Sequence, residues 1–174
     1  VGYVWVESTH DVRNSEEATA FRRGLIAEVE VLPGVTAVAY TDRQPLGLDN
    51  ATITIRLPGE SEKTTRAAEQ ISVTPGYFSV LELPIVRGRT FTDAEIRNPA
   101  SGVRPAIVSE ATARNLWPGA DAIGRTLIGM PAVAGDTLQI VGVVSDARIN
   151  SLSAIDPYTV YIPGGGAALL VKSR

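Results

Sequence analysis

Histidine, acidic and hydroxyl side chains are the groups in this chain able to make or break bonds, so their spacing decides what chemistry is open to it. The one histidine, His10, sits in the polar run Ser8-Thr-His-Asp11. A Ser-His-Asp triad needs an oriented imidazole between a hydroxyl and a carboxylate, and a polar run of this kind reads as a solvated loop instead. One His and no Cys cannot assemble the usual zinc or copper ligand sets. Without Cys there is also no thiolate nucleophile and no disulfide. Asp42, Asp49, Asp93, Glu95, Asp136 and Asp146 fall in or near loops. Two of them would do acid/base work only if the fold brought them into one cleft; singly they read as solvated caps and turn formers, Asp93 after Thr92 as a helix start. Ser109-Glu110 follows a strand but lacks the flanking glycines of a nucleophile elbow, so Ser109 reads as a helix cap. Pro163-Gly-Gly-Gly166 lacks the Lys-Ser/Thr of a phosphate-binding loop and reads as a break. No catalytic residue, cofactor or metal site is expected. Tyr77, Phe78 and Trp117 stand beside Pro-Gly turns, where large aromatics either plug the core or anchor a partner.

Composition narrows the field further. The 174 residues carry Lys+Arg 16 against Asp+Glu 19, a formal charge of −3. No basic excess is present to neutralise a run of phosphates, which argues against nucleic acid as a partner. A length of this order suits one domain or two small subdomains with a self-sufficient core. Eleven prolines and 16 glycines imply many turns between short elements. No run of about 18 apolar residues and no signal-peptide pattern occurs. The chain opens at Val1 directly into an apolar segment, and it is read as a fragment whose anchors were trimmed, with a processed mature protein as the alternative.

The elements that must position these residues follow from periodicity. Val1 to Glu7 reads as a strand. Ser15-Glu-Glu17 starts a helix with Ala18, Phe21, Leu25, Val29 and Leu32 on one face, stopped by Pro33-Gly34. Residues 35–41 are the next strand, and 42–50 a loop. Thr52 to Leu57 alternates cleanly, and with 67–74 it makes a hairpin. Pro75 opens a short helix carrying Tyr77, Phe78, Val80 and Leu81. Residues 84–87 are extended, Thr92-Asp93 begins a helical turn, and 106–108 is a buried strand. Ser109 caps a helix bearing Ala113, Leu116 and Trp117. Residues 138–144 are apolar almost throughout, as expected of a strand covered on both faces; 159–162 is a further strand and 167–171 a final apolar segment. Strands and short helices alternate irregularly, so the fold class is α+β with a mixed sheet.

Several of these segments together resemble the periplasmic core domain of MacB-like, FtsX-type ABC transporter permeases. They are Leu32-Pro-Gly-Val35, Pro45-Leu46-Gly47, Val73-Thr-Pro-Gly-Tyr-Phe-Ser-Val-Leu81, Gly88-Arg-Thr-Phe-Thr-Asp93, the run from Ala106 to Gly119, Ile123-Gly-Arg125, Ile140-Val-Gly-Val-Val144 and Tyr161-Ile-Pro163. The resemblance spans almost the whole chain and implies a β-α-β porter-like part, residues 1–45 with 157–174, and an inserted smaller α/β part of the Sabre type, residues 46–156. It implies a cytoplasmic ATPase partner, a permease dimer, a periplasmic adaptor in some members, and a non-catalytic domain that opens and closes as ATP is hydrolysed. The porter-like part would be expected to run on beyond Arg174. A module capturing an apolar or peptide substrate between two subdomains is the alternative reading, and a hydrolase using loop carboxylates a third. The first reading predicts hydrophobic spans of about 20 residues before Val1 and beyond Arg174 in the parent protein, which its full reading frame would display.

Overall fold

Short β-branched runs punctuated by Pro and Gly become strands here, and the capped polar-apolar stretches become helices. The computed structural model describes residues 2–5, 16–43, 52–97, 102–130, 137–148 and 155–174. His10, Asp49, Asp136, the Ser15 cap and Pro45-Leu46-Gly47 lie outside them. In chain order the elements are β1 (Gly2–Trp5), α1 (Glu16–Glu30), β2 (Val35–Thr41), β3 (Thr52–Arg56), β4 (Arg66–Val73), α2 (Tyr77–Val80), β5 (Ile85–Gly88), α3 (Asp93–Arg97), β6 (Val103–Ser109), α4 (Glu110–Leu116), β7 (Thr126–Met130), β8 (Thr137–Val144), β9 (Thr159–Pro163) and β10 (Ala168–Ser173).

The strands form one mixed sheet in the order β1-β10-β2-β4-β3-β7-β8-β6-β9, with β5 beside β8. This is the α+β class expected. Strand β9 pairs antiparallel with β6 and also parallel with β4, Glu69 opposite Thr159 and Val73 opposite Pro163. The path β4-β3-β7-β8-β6-β9 therefore returns on itself as a closed ring. Closure gives each ring strand a partner on both sides for part of its length. One apolar cluster drawing on all six ring strands fills the inside, with Ile55, Val108, Leu127, Ile140, Val160 and Ile162 among its members. Leu116 and Trp117, from the end of α4, join it. Side chains alternate across each strand, so Ile71, Ile107 and Tyr161 point the other way and enter a second cluster outside the ring.

The remaining strands, β1, β10 and β2, form an antiparallel group at one end of the sheet. Helix α1 covers it through Leu25, Ile26 and Val29, packed on Val38, Tyr40 and Leu169. Two residues expected on this face, Phe21 and Leu32, are 61% and 52% exposed. The seat is only three strands wide, so the helix turns Ile26 downward in their place, and Leu32 lies past the last helical residue, Glu30. Gly34, at φ 87°, ends the helix as expected.

One other feature departs from the sequence reading. Thr126–Met130 is a strand, although Gly129 interrupts its apolar pattern. The segment 157–174 contributes a strand on either side of its glycine run: β9 pairs with β4 and β6, and β10 with β1 and β2. All five residues of β9 are buried, which suits a strand flanked on both sides and covered on both faces.

Leu127 is fully buried in the ring, so Leu127→Ala should cost about 2–5 kcal/mol in urea denaturation. Phe21→Ser, on the exposed side of α1, should stay within about 0.5 kcal/mol of the parent chain.

Candidate functional site

The ring and the three-strand group meet at a narrow seam, where the aromatic residues singled out from sequence collect. Strands β2 and β4 share one paired position, Thr41 opposite Val73. Just beyond it the Tyr40 N–H donates to Thr74 Oγ1 at 2.8 Å, and the Thr74 N–H donates to the Tyr40 carbonyl at 3.0 Å. Pro75-Gly76 then turns the chain into α2. A Cβ at position 76 would lie 2.2 Å from the Val38 carbonyl oxygen, so the backbone of α2 rests directly on β2 and only glycine fits.

Helix α2 drives its aromatic residues into the space between the two groups. Tyr77 and Phe78 meet edge to face with centroids 5.6 Å apart, and Phe78 meets Tyr161 of β9 at 5.2 Å, again edge to face. Phe91 extends the cluster at 6.4 Å from Phe78. Such arrangements align the positive ring edge with the negative face of its neighbour. The same core includes Ala39 of β2 and Leu170 of β10 together with Ile71 and Val73 of β4. One continuous apolar core therefore belongs to both strand groups.

Tyr77, Phe78 and Trp117 are 0%, 4% and 7% exposed. The first two lie in the seam and the third in the ring, each packed within an apolar cluster. The Tyr77 hydroxyl is buried with no hydrogen-bond partner among the described residues. Burial pushes its pKa well up, and the charge of Asp42 pushes in the same direction. Burial likewise raises Tyr161 well above the ordinary tyrosine value.

Of the acids considered as an acid/base pair, Asp42, Glu95 and Asp146 are each engaged by a different partner. Asp42 Oδ1 accepts from the Ser72 N–H at 3.0 Å, and burial raises its pKa. Asp146 Oδ1 accepts from the Ala111 N–H at 2.6 Å, and Arg114 Nη2 donates to its Oδ2 at 2.7 Å, so this carboxylate holds the first turn of α4. Glu95 closes a capping box on α3: the Thr92 N–H donates to Glu95 Oε2 at 2.8 Å, and Thr92 Oγ1 accepts from the Glu95 N–H at 3.3 Å. Asp93 is exposed in the first turn of the same helix. Ser109 Oγ accepts from the Thr112 N–H at 3.2 Å and is 3% exposed, a cap as expected. Among the described residues no group of three or more His, Cys, Asp or Glu gathers to hold a metal, and no helix is long and apolar enough to cross a membrane.

One further tie joins the two groups at the seam. Lys172 of β10 meets Glu82 at 2.5 Å in the turn after α2. Glu82 adopts a positive φ of 55°, a conformation uncommon for residues other than glycine. Nothing in the local sequence marks this contact, because it joins residues that are far apart along the chain.

The sequence profile of the MacB-like periplasmic core domain matches residues 1–173. In three dimensions the chain is similar to the periplasmic region of MacB from Actinobacillus actinomycetemcomitans, with a TM-score of 0.61 and 12% identity, covering 98% of this chain and 72% of that one. It is also similar to the extracellular domain of the noncanonic ABC-type transporter YknZ from Gram-positive bacteria, with a TM-score of 0.58 and 18% identity, covering 99% of this chain and 82% of that one. At these identities the likeness is one of fold. No curated protein sequence matches the chain.

The electrostatics of the surface give a pH dependence with a definite sign. Hydrogen bonds from Arg89, at 2.7 and 3.0 Å, hold Glu95 at a pKa of about 2, and those from Arg66 hold Glu60 at about 2. Both values lie below the ordinary 4.5. Their contribution is complete above that value and is lost as pH falls through about 2. Urea midpoints measured across this acid range should drop, and the drop should be shallower in Glu95→Gln.

Proposed function

Because the chain belongs to the family of MacB-like periplasmic core domains, the extracytoplasmic parts of ABC transporter permeases, we propose that it is a non-catalytic moving part. It carries the motion of ATP-driven membrane helices to a substrate or partner outside the cytoplasm. The parent permease would work with a cytoplasmic ATPase and as a dimer, and a periplasmic adaptor is the partner that would receive the motion. The three-strand group with α1 corresponds to the porter-like part, and the ring with its helices to the inserted Sabre-like part, β9 being counted with the ring.

The observation that carries this reading is the shared apolar core of the seam. Ala39 and Leu170 on one side pack with Ile71, Val73 and Tyr161 on the other. Protein interiors are close-packed and resist compression, so displacement of one group displaces the other. A domain built to transmit force needs that continuity and needs no reactive side chain. The engagement of Ser109, Glu95 and Asp146 in capping the short helices agrees with such a role.

These 174 residues hold no cysteine, so labels can be placed singly once any cysteine elsewhere in the parent permease has been replaced. In the full-length permease, probes at exposed Glu28 on α1 and Lys63 in the β3–β4 turn should keep their mutual distance within one copy through the ATPase cycle. Probes at Lys63 in two copies of a dimer should change their separation when ATP is hydrolysed. If the distance between copies stays constant while transport proceeds, the reading fails.

A further inference from the structure

We propose that Asp42 and Arg43 form a latch that fixes the angle between the two strand groups, with the glycine run 164–166 as its seat. The inference rests on the reading of the domain as a force-transmitting body, and it concerns how that body is kept rigid.

The chain passes between the two groups twice, once leaving β2 through Thr41–Arg43 and once leaving β9 through Pro163–Gly166. Both passages meet the same stretch of β4. Arg43 is 5% exposed, and its Nη1 donates to Glu69 Oε2 at 2.9 Å. Its Nη2 donates to the Gln70 carbonyl, and its Nε stands 4.0 Å from Asp42 Oδ1. Asp42 accepts from the Ser72 N–H at 3.0 Å, while its own N–H donates to the Ser72 carbonyl at 3.1 Å. Two consecutive side chains from the exit of β2 thus grip Glu69, Gln70 and Ser72 in turn, extending a seam that has one paired backbone position.

The returning passage closes over this grip. A Cβ on Gly166 would lie 2.1 Å from Asp42 Cα, and one on Gly164 would lie 2.2 Å from Ser72 Oγ. At Gly166 the obstacle is backbone and only glycine fits, while at Gly164 it is the Ser72 hydroxyl, which a side chain would have to turn aside; the strap therefore lies flat on the latch. The Gly164 N–H also donates to the Val73 carbonyl at 3.1 Å, tying the strap to the same strand.

The physical reason for a polar latch beside an apolar core is directionality. Apolar contacts hold two bodies together but are non-directional and permit sliding. Hydrogen bonds from a planar guanidinium fix distance and angle together. A guanidinium this buried is stable only while paired, and withdrawing one partner leaves an uncompensated charge at the joint.

The test is hydrogen exchange and urea unfolding of the present chain carrying Arg43→Met and Glu69→Gln, singly and together. With the latch broken, amides of β2, β10 and the seam, including those of Asp42 and Thr74, should exchange about a hundredfold faster. The amides of β6 and β8 in the ring should keep their protection, and the single unfolding transition should split in two. Leu127→Ala serves as the control: it weakens the ring by a cavity, and its transition should move without splitting. The double variant should lose little more than Arg43→Met alone, because both changes remove one interaction. If Arg43→Met does not fold, Glu69→Gln, which preserves shape, carries the same comparison. An Arg43→Met transition that stays single, with protection lost equally in both groups, overturns the latch, as does full additivity of the two substitutions. That result leaves the transport reading to be judged by the labelling experiment, which does not depend on Arg43.

Discussion

The parallel pairing of β9 with β4 is the constraint on which the architecture turns. An antiparallel sheet could stop at β9 with an unpaired row of amides and carbonyls, but this sheet bends until that row meets β4. Every buried backbone group needs a partner, and closure supplies it while enclosing the apolar cluster around Val160 and Ile162. The other face of β9 presents Tyr161 to α2. A single five-residue strand thus completes the ring, fills it and begins the second core.

Around that strand the molecule is organised by apolar packing, with polar groups holding specific angles. Short helices of four to seven residues cannot persist on local hydrogen bonding. Caps and packing hold them: Ser109 and Asp146 at the start of α4, the Thr92–Glu95 box at α3, and the close seat of Gly76 on β2 at α2. These side chains are the ones that looked reactive in the sequence, and the fold has committed them to backbone groups.

What was legible in the sequence was local. The alternation of Ile53 and Ile55 announced a half-buried strand, Pro33-Gly34 announced the end of α1, and Ser109 announced a cap. The ordered series of short motifs was legible also, and it pointed to the family. The ring was not legible, because pairing Glu69 with Thr159 depends on the whole intervening chain and leaves no mark at either residue. Strand β7 was hidden by Gly129, and the outward rotation of Phe21 depends on the width of a sheet that sequence does not state. Arg43 reads as one more surface charge in a polar loop until β4 is placed beside it.

The placement of strand partners also governs when the molecule can come into being. Gly2 pairs with Val171, and Glu69 with Thr159, so both ends of the chain and most of its length must be present before either strand group is complete. Contacts so distant in sequence carry a large loop-closure entropy and form slowly. A polypeptide delivered through a membrane one end first therefore emerges with apolar strand edges waiting for partners still on the far side. Until β9 and β10 arrive, those edges are open to aggregation, and holding chaperones at the exit would have their longest engagement with the stretch from β2 to β8.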